Sequence, residues 1–183
     1  MPLFPSIGAE DKVPHAFAKF NTGIERPLIV LHQVLMRGGD SPFTEAEREL
    51  LAAFVSGTNA CQYCTGAHTA TAVEFGVDEK LISSLLNDID TADVEENWKP
   101  IFKFVRKLTL EPTKMIQADA DAVFNAGWSE RALYDAIIIC CTWSFMNRYV
   151  EGLGLSVIPE HFAMEGKMLK PGYDGIFKMF DLK

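Results

Sequence analysis

Four residues in one short stretch have the types and spacing that thiol chemistry requires: Glu49, Cys61, Cys64 and His68. Cys61 and Cys64 are three positions apart and His68 follows Cys64 by four, so on a helix these three side chains share one face. A Gly-Thr-Asn break at residues 57–59 precedes Cys61. A helix that restarts there gives Cys61 free backbone N–H groups and the positive end of the helix dipole, and both favour a thiolate.

Glu49 can join this group only if the chain reverses direction. An imidazole such as that of His68 can take up or relay a proton near neutral pH. A carboxylate from the preceding helix would orient that imidazole, as the third member of a catalytic triad does. On an uninterrupted helix Glu49 would lie about 18 Å from Cys61, so the predicted Glu49–His68 pair depends on a turn near Gly57.

Metal binding is the main alternative for the two cysteines, because a bare Cys-x-x-Cys motif favours redox and metal sites about equally. Zinc would need a fourth ligand besides Cys61, Cys64 and His68, and Cys140 or Cys141 could supply it only if the fold brought one of them close. Covalent haem attachment is disfavoured, because no histidine directly follows the second cysteine.

The other histidines and cysteines are predicted to be structural. His15, His32 and His161 have no potential partner at a useful spacing. Cys140 and Cys141 lie in an apolar run and are predicted to be buried and inert. Adjacent cysteines rarely have the geometry for a disulfide with each other.

The sequence predicts an all-α fold, because helical periodicity is frequent and sustained apolar–polar alternation is lacking. Thr44 and Glu47 have capping-box spacing, and Gly76 is suited to end a helix. A polar loop is predicted at 87–96. Residues 158–183 are predicted to form a tail that packs on another surface, such as a neighbouring subunit. The predicted helices cover residues 28–37, 45–56, 60–75, 78–86, 98–109, 113–125 and 130–150.

Length and composition indicate one globular domain over residues 1–183, with a core at about 27–157. The 183 residues are 48% hydrophobic and 23% charged, which argues against disorder. The net charge of −8 makes nucleic acid a poor partner. The N-terminus lacks the features of a signal peptide, and the apolar run at 136–143 is too short to span a membrane. We therefore expect a cytoplasmic protein, where closely spaced cysteines are more often catalytic or metal-binding than structural.

A longer pattern resembles the alkyl hydroperoxidase D (AhpD-like) family, in particular its peroxidase-related subgroup within the carboxymuconolactone decarboxylase superfamily. The spacing from Glu49 to the cysteine pair and on to His68 is the specific part of this resemblance. A looser similarity runs from about residue 27 to residue 157. The matching segments are Arg48-Glu49, Val55-Ser56, Asn59, Cys61-x-Tyr63-Cys64, His68, Phe145-Met146-Asn147-Arg148 and Gly152-Leu153-Gly154.

This resemblance implies a helical-bundle subunit that assembles through its helices into trimers or hexamers and reduces organic hydroperoxides without a cofactor. It implies that Cys64 attacks the peroxide, that Cys61 resolves the product as a disulfide, and that His68 and Glu49 relay the proton. The helix-dipole argument favours Cys61 as the thiolate instead, but His68 lies one turn after Cys64 as a local base. The implied reductant is a thioredoxin-like or lipoyl protein. The aromatic residues of the tail are candidates for the subunit interface: Phe162, Tyr173, Phe177 and Phe180.

Tyr63 is a departure from the family pattern, because the best-known peroxidases of the family have a histidine directly before the second cysteine. A phenol titrates near pH 10 and is a hydrogen-bond donor rather than a base at neutral pH. Tyr63 is thus a possible supporting residue, and the expected peroxidase activity is slow or directed at another substrate. Decarboxylation is disfavoured, because decarboxylases of the superfamily generally lack the cysteine pair.

Overall fold

The computed structural model describes residues 2–180, except for the side chains of residues 178 and 180, and confirms the predicted all-α fold. Two short 3₁₀ turns, Pro112–Lys114 and Pro159–His161, accompany the α-helices. The helices are α1 (Val13–Phe20), α2 (Glu25–Arg37), α3 (Glu45–Thr58), α4 (Gln62–Glu74), α5 (Glu79–Asn87), α6 (Trp98–Leu110), α7 (Gln117–Asn125), α8 (Glu130–Leu153), α9 (Phe162–Leu169) and α10 (Gly175–Phe180).

Helix α3 is the centre of the bundle, and every residue from 48 to 56 is buried. The predicted capping box starts it: Thr44 Oγ1 accepts from the Glu47 N–H at 3.3 Å, and Glu47 accepts from the Thr44 N–H at 2.7 Å. Helices α4, α5, α6 and α8 pack around it. Phe54 meets Phe102 of α6 edge to face, with ring centroids 4.9 Å apart. A helix buried on all sides is therefore the frame that holds Glu49.

Several helices differ from the sequence-based expectation: α2 begins three residues earlier, α8 ends three residues later, and α9 and α10 in the tail were not predicted. Three further differences concern α1, α7 and α3. Helix α1 was not predicted, because its N-cap residue, Lys12, is not one of the residue types that usually cap helices and because the helix is only eight residues long. The segment predicted as one helix at 113–125 is a 3₁₀ turn followed by α7, which begins at Gln117. The helix predicted to end at residue 56 continues to Thr58, so the chain reversal occurs two residues later than expected.

The C-terminal tail packs on this chain's own helices. Helix α9 lies against α4 at two glycines: a Cβ at Gly66 would overlap the ring of Phe162, and one at Gly166 would lie 2.7 Å from the backbone of Ala70. Arg37 of α2 donates to the Leu169 carbonyl at 2.8 Å. Direct contact between helix backbones thus fixes the tail over the face of α4.

The aromatic residues proposed for a subunit interface are engaged within the chain. Phe162 packs on Gly66, and Tyr173 is buried. Phe177 packs against the core and lies under the guanidinium of Arg26. The Phe180 side chain lies outside the described residues. Contacts within the chain thus already engage three of the four aromatic side chains, and the trimer or hexamer stays a prediction.

The prediction for the second cysteine pair is half wrong. Cys140 is buried, and its sulfur lies 3.3 Å from Thr109 Oγ1. Cys141 is exposed on the outer face of α8. Neighbouring residues on a helix point about 100° apart, so one of the two faces the core while the other faces solvent.

Among residues 2–180, no helix combines the length and the apolar character that crossing a membrane would require.

Candidate active site

The turn between α3 and α4 brings Glu49 and His68 together. Ala60 adopts a φ of +58°, in the left-handed region that side-chain-bearing residues seldom occupy. The Cys61 N–H then closes back on the Ser56 carbonyl at 3.0 Å. Helix α4 starts immediately afterwards with Cys61 as its N-cap residue and runs back along α3. The chain reversal on which the Glu49–His68 pair depends is present.

Glu49 is a completely buried carboxylate with three partners. Its Oε2 accepts from His68 Nδ1 at 2.6 Å. Its Oε1 lies 2.7 Å from Arg37 and accepts from the Tyr173 hydroxyl at 3.2 Å. Burial alone would raise the pKa of Glu49, but His68 and Arg37 outweigh that effect and lower it. Glu49 is therefore ionised at neutral pH.

The bond to Glu49 fixes the orientation and the tautomer of His68. An ionised carboxylate can only accept a hydrogen bond, so the proton of a neutral imidazole is on Nδ1. Nε2 is then the nitrogen that can take up a further proton. The ring also lies edge-on to Trp143, with centroids 3.8 Å apart. A buried carboxylate and an indole thus hold the imidazole in one pose.

The two cysteines occupy unequal positions. Both are free thiols, but Cys61 has no exposed surface whereas Cys64 is 4% exposed and lines a cavity. The hydrogen bond with Cys61 and burial both raise the pKa of Cys64 well above its ordinary value. In this reduced state Cys64 therefore stays protonated and hydrogen-bonded to Cys61. Cys64 is also the sulfur that a ligand in the cavity can reach.

Asn147 of α8 links Cys64 to the end of α3. Its amide hydrogen-bonds the Cys64 sulfur, which lowers the pKa of that thiol and partly opposes the effect of burial. The same amide donates to Ser56 Oγ at 3.0 Å, and its oxygen accepts from Asn59 at 2.9 Å. All three polar residues belong to the segments that carry the family resemblance, so a signal for Asn147 existed in the sequence.

Tyr63 does not take the place of a base. Its hydroxyl accepts from the Val13 N–H at 3.4 Å, and its ring lies under the Lys12 ammonium. Burial, with a smaller effect from Glu165, raises the pKa of Tyr63 far above the ordinary value. Tyr63 joins the N-terminal segment to α4 and stays protonated.

A cavity of about 740 Å³ opens over Cys64 and His68. The N-terminal segment, α1, α9 and α10 form its outer wall, and α2, α4 and α8 form its floor. The lining is mostly apolar and includes several methionines: Met146, Met164, Met168 and Met179. Its volume is in the range typical of small-molecule sites.

Sequence reasoning missed four residues of the site: His32, Trp143 and Tyr173, which line the cavity, and Arg37, which pairs with Glu49. No local spacing connects residues 32, 37 and 173 with Glu49, since the contacts arise only when α2 and the tail close over α3. His32 was expected to be merely structural. It stacks on Trp143 with centroids 4.9 Å apart and planes 7° from parallel, and it lines the cavity.

The alternative zinc site is not formed. Across the described residues, no group of three or more histidine, cysteine or acidic side chains has an arrangement that could hold a metal ion. His68 Nδ1 is committed to Glu49, and Cys140 is held against Thr109 in a different part of the bundle.

Comparison with known proteins supports the family resemblance. Residues 29–96, which contain all four predicted site residues, match the model of the carboxymuconolactone decarboxylase family. An uncharacterised peroxidase-related protein from Silicibacter sp. TM1040 is 25% identical, with a TM-score of 0.74 over 82% of this chain and 78% of that one.

A second solved structure has the same fold. It is described as an alkylhydroperoxidase AhpD core, an uncharacterised peroxidase-related protein from Ralstonia eutropha JMP134, and it is 23% identical. Its TM-score is 0.70 over 79% of this chain and 76% of that one. A search among curated proteins finds no match to the sequence. The matches confirm the resemblance to AhpD-like proteins of the carboxymuconolactone decarboxylase superfamily.

Proposed function

We propose that this AhpD-like protein is a thiol-dependent peroxidase that reduces organic hydroperoxides with Cys61 and Cys64, in antioxidant defence. The observation that carries the proposal is the buried Glu49–His68 pair at 2.6 Å, on the same cavity as Cys64. An oriented imidazole beside an accessible thiol is the arrangement by which proteins activate a cysteine nucleophile.

Cys64 is the attacking sulfur in this proposal. It lines the cavity, whereas Cys61 is enclosed. Its raised pKa means that it must lose a proton as the substrate reacts, because the thiolate is the nucleophile. His68 follows one helical turn later and can take up that proton on Nε2. Glu49 stabilises the imidazolium that results.

Two steps then consume one hydroperoxide. The Cys64 thiolate attacks the terminal oxygen and breaks the O–O bond, giving a sulfenic acid and an alkoxide that leaves as the alcohol with the proton from His68. The Cys61 thiol next attacks the sulfenic sulfur, which forms the disulfide and releases water. Two electrons pass from the dithiol to the peroxide.

A dithiol protein must restore the thiols, and a thioredoxin-like or lipoyl protein is the proposed reductant. Exchange begins with a thiolate attacking one sulfur of the disulfide. Since Cys61 is enclosed in the reduced protein, we propose that the reductant attacks Cys64. The cytoplasmic location and the trimeric or hexameric assembly also remain predictions.

A disulfide oxidoreductase without peroxidase activity is the second candidate. The raised pKa of Cys64 slows attack on a peroxide and on a disulfide alike, because both reactions need the thiolate. The observation that favours this candidate is Tyr63 in place of the family's histidine, since its hydroxyl is bound to the Val13 N–H, stays protonated and cannot act as the base that a peroxidase of the family would have there.

A thiol count distinguishes the two candidates. The reduced chain has four cysteines, and one equivalent of cumene hydroperoxide should remove two thiols per chain, as counted after denaturation. The Cys64→Ser variant should lose none, and the matched Cys141→Ser variant should still lose two. An unchanged count in the native chain would contradict peroxidase activity and favour disulfide exchange.

A further inference from the structure

Two stacked rings in the cavity carry polar atoms that the chain leaves without partners. Within the part of the chain that the structure describes, neither His32 Nε2 nor Trp143 Nε1 has a hydrogen-bond partner, although both atoms are buried. Both residues are 4% exposed, and both line the cavity over Cys64. Buried polar atoms in proteins are nearly always satisfied by protein or water, so an unsatisfied pair at a cavity indicates a polar group bound there, either water or a ligand oxygen that displaces it.

Trp143 places this pair next to the reactive groups. Its indole lies between two histidines, parallel to His32 on one side and edge to face with His68 on the other. A group hydrogen-bonded to the His32–Trp143 pair would therefore lie close to the His68 imidazole, because the Trp143 indole contacts both histidines.

The chemistry of the two atoms defines what they can bind. An indole N–H only donates, and a neutral imidazole nitrogen donates or accepts according to its tautomer. Burial lowers the pKa of His32 to about 4, with a further contribution from His68, so the ring is neutral at pH 7. The terminal –O–O–H group of a hydroperoxide, like a hydroxyl, supplies both a donor and acceptors.

The rest of the cavity suits an uncharged apolar group. The wall is mostly apolar, and its volume of about 740 Å³ far exceeds what hydrogen peroxide occupies. Lys12 is already paired with Glu165 at 2.9 Å, so a carboxylate would have to compete with an existing ion pair. Methionine side chains adapt to ligands of varied shape.

We propose that His32 and Trp143 form a polar subsite that binds the oxygen end of a bulky, uncharged hydroperoxide, while its apolar part lies along the methionine-lined wall. That the ligand is a hydroperoxide substrate rests on the proposed peroxidase function. That the His32–Trp143 pair binds an oxygen-bearing group can be tested by binding measurements without turnover.

The test measures binding of two probes to the Cys64→Ser protein, which cannot react at that position. Cumyl alcohol carries a hydroxyl, and isopropylbenzene is the matching hydrocarbon without oxygen. Equilibrium dialysis with gas chromatography gives both dissociation constants. Trp143→Phe and His32→Phe keep an aromatic ring and remove the polar atom. Trp128→Phe is the control, since Trp128 lies outside the cavity and donates to the Asn97 carbonyl.

Each polar-atom deletion should weaken binding of the alcohol about three- to tenfold, the value of a neutral hydrogen bond, and leave binding of the hydrocarbon unchanged. The control should change neither. Equal losses for both probes, or no loss for the alcohol, would overturn the subsite. If His32→Phe fails to fold by circular dichroism, Trp143→Phe alone decides. Absence of peroxide-driven thiol loss in the unmodified protein would instead reject the peroxidase function and leave the subsite standing.

Discussion

The two cysteine pairs lie on neighbouring helices, yet they differ in solvent access, in hydrogen-bond partners and in whether their two sulfurs could form a disulfide with each other. Cys61 and Cys64 are one helical turn apart at the start of α4 and share a hydrogen bond, and Cys64 borders a cavity. Cys140 and Cys141 are adjacent on α8, where one faces Thr109 in the core and the other faces solvent. Spacing along a helix, rather than the number of cysteines, decides which thiols can work together.

The largest effect expected from this comparison is the loss of peroxide reduction in Cys64→Ser. Removing the nucleophile should lower dithiothreitol-driven turnover of cumene hydroperoxide on the order of a thousandfold or more. Cys141→Ser, the matched change in the second pair, should keep full activity because that thiol is exposed and does not line the cavity. Comparable losses in both variants would erase the functional distinction between the pairs.

Glu49→Gln tests the buried carboxylate that binds His68, a feature that only the first cysteine pair has nearby. The change leaves the Arg37 guanidinium, whose side chain is 3% exposed, without a counter-ion, and breaking such a buried pair costs about 3–5 kcal/mol. We also expect peroxide-driven thiol loss to slow about tenfold to a hundredfold, because His68 loses a charged partner. Urea unfolding and stopped-flow kinetics measure the two effects.

The control for Glu49→Gln is Lys103→Met, which removes a pair with Asp90 whose two side chains are 53% and 65% exposed. Exposed pairs contribute about 0–1 kcal/mol, so its stability should change little. A Glu49→Gln protein as stable and as fast as the unmodified one would remove the carboxylate from the site.

His32 should make the surroundings of the first pair sensitive to acid. Burial, with His68, lowers its pKa from the ordinary 6.5 to about 4. Between those values the unfolded chain binds a proton that the folded chain does not, so stability falls as the pH drops from 6.5 to 4. The loss is about 3 kcal/mol.

Urea unfolding at pH 7, 6, 5 and 4.5 measures this effect as the difference between the unmodified protein and His32→Phe. The variant should have the shallower pH dependence. Measurements stop at pH 4.5 because the lowered pKa of Glu49 adds its own acid-dependent loss of stability below that value. Parallel curves for the two proteins would show that His32 is not buried in the neutral form.

The smallest effect belongs to the second pair. Cys140→Ala should cost about 1 kcal/mol, from a small cavity and the lost contact with Thr109, and it should leave thiol oxidation by peroxide unchanged. Cys141→Ala should cost nothing measurable by thermal unfolding. A kinetic defect in Cys140→Ala would mean that the two pairs are coupled through α8.

The sequence predicted what depends on neighbours along the chain. The capping box at Thr44, the reversal before Cys61 and the helical face shared by Cys64 and His68 all follow from local spacing. The partners that Glu49 finds in Arg37 and Tyr173 do not, because they lie 12 residues before it and 124 after it. The tail could be recognised as a segment that packs, but composition does not tell which surface it covers.

Tyr173 is synthesised after the other partners of Glu49, and this order affects how the site forms. The ribosome releases Arg37, Glu49 and His68 well before it releases the residue that donates the third hydrogen bond to that carboxylate. Domains generally begin to fold from the N-terminus while translation continues. The nascent bundle thus holds an open, partly hydrated carboxylate until α9 and α10 emerge and dock. Premature termination after α8 would leave a chain with both thiols at the start of α4 and only the N-terminal part of the cavity wall to restrict what reaches them.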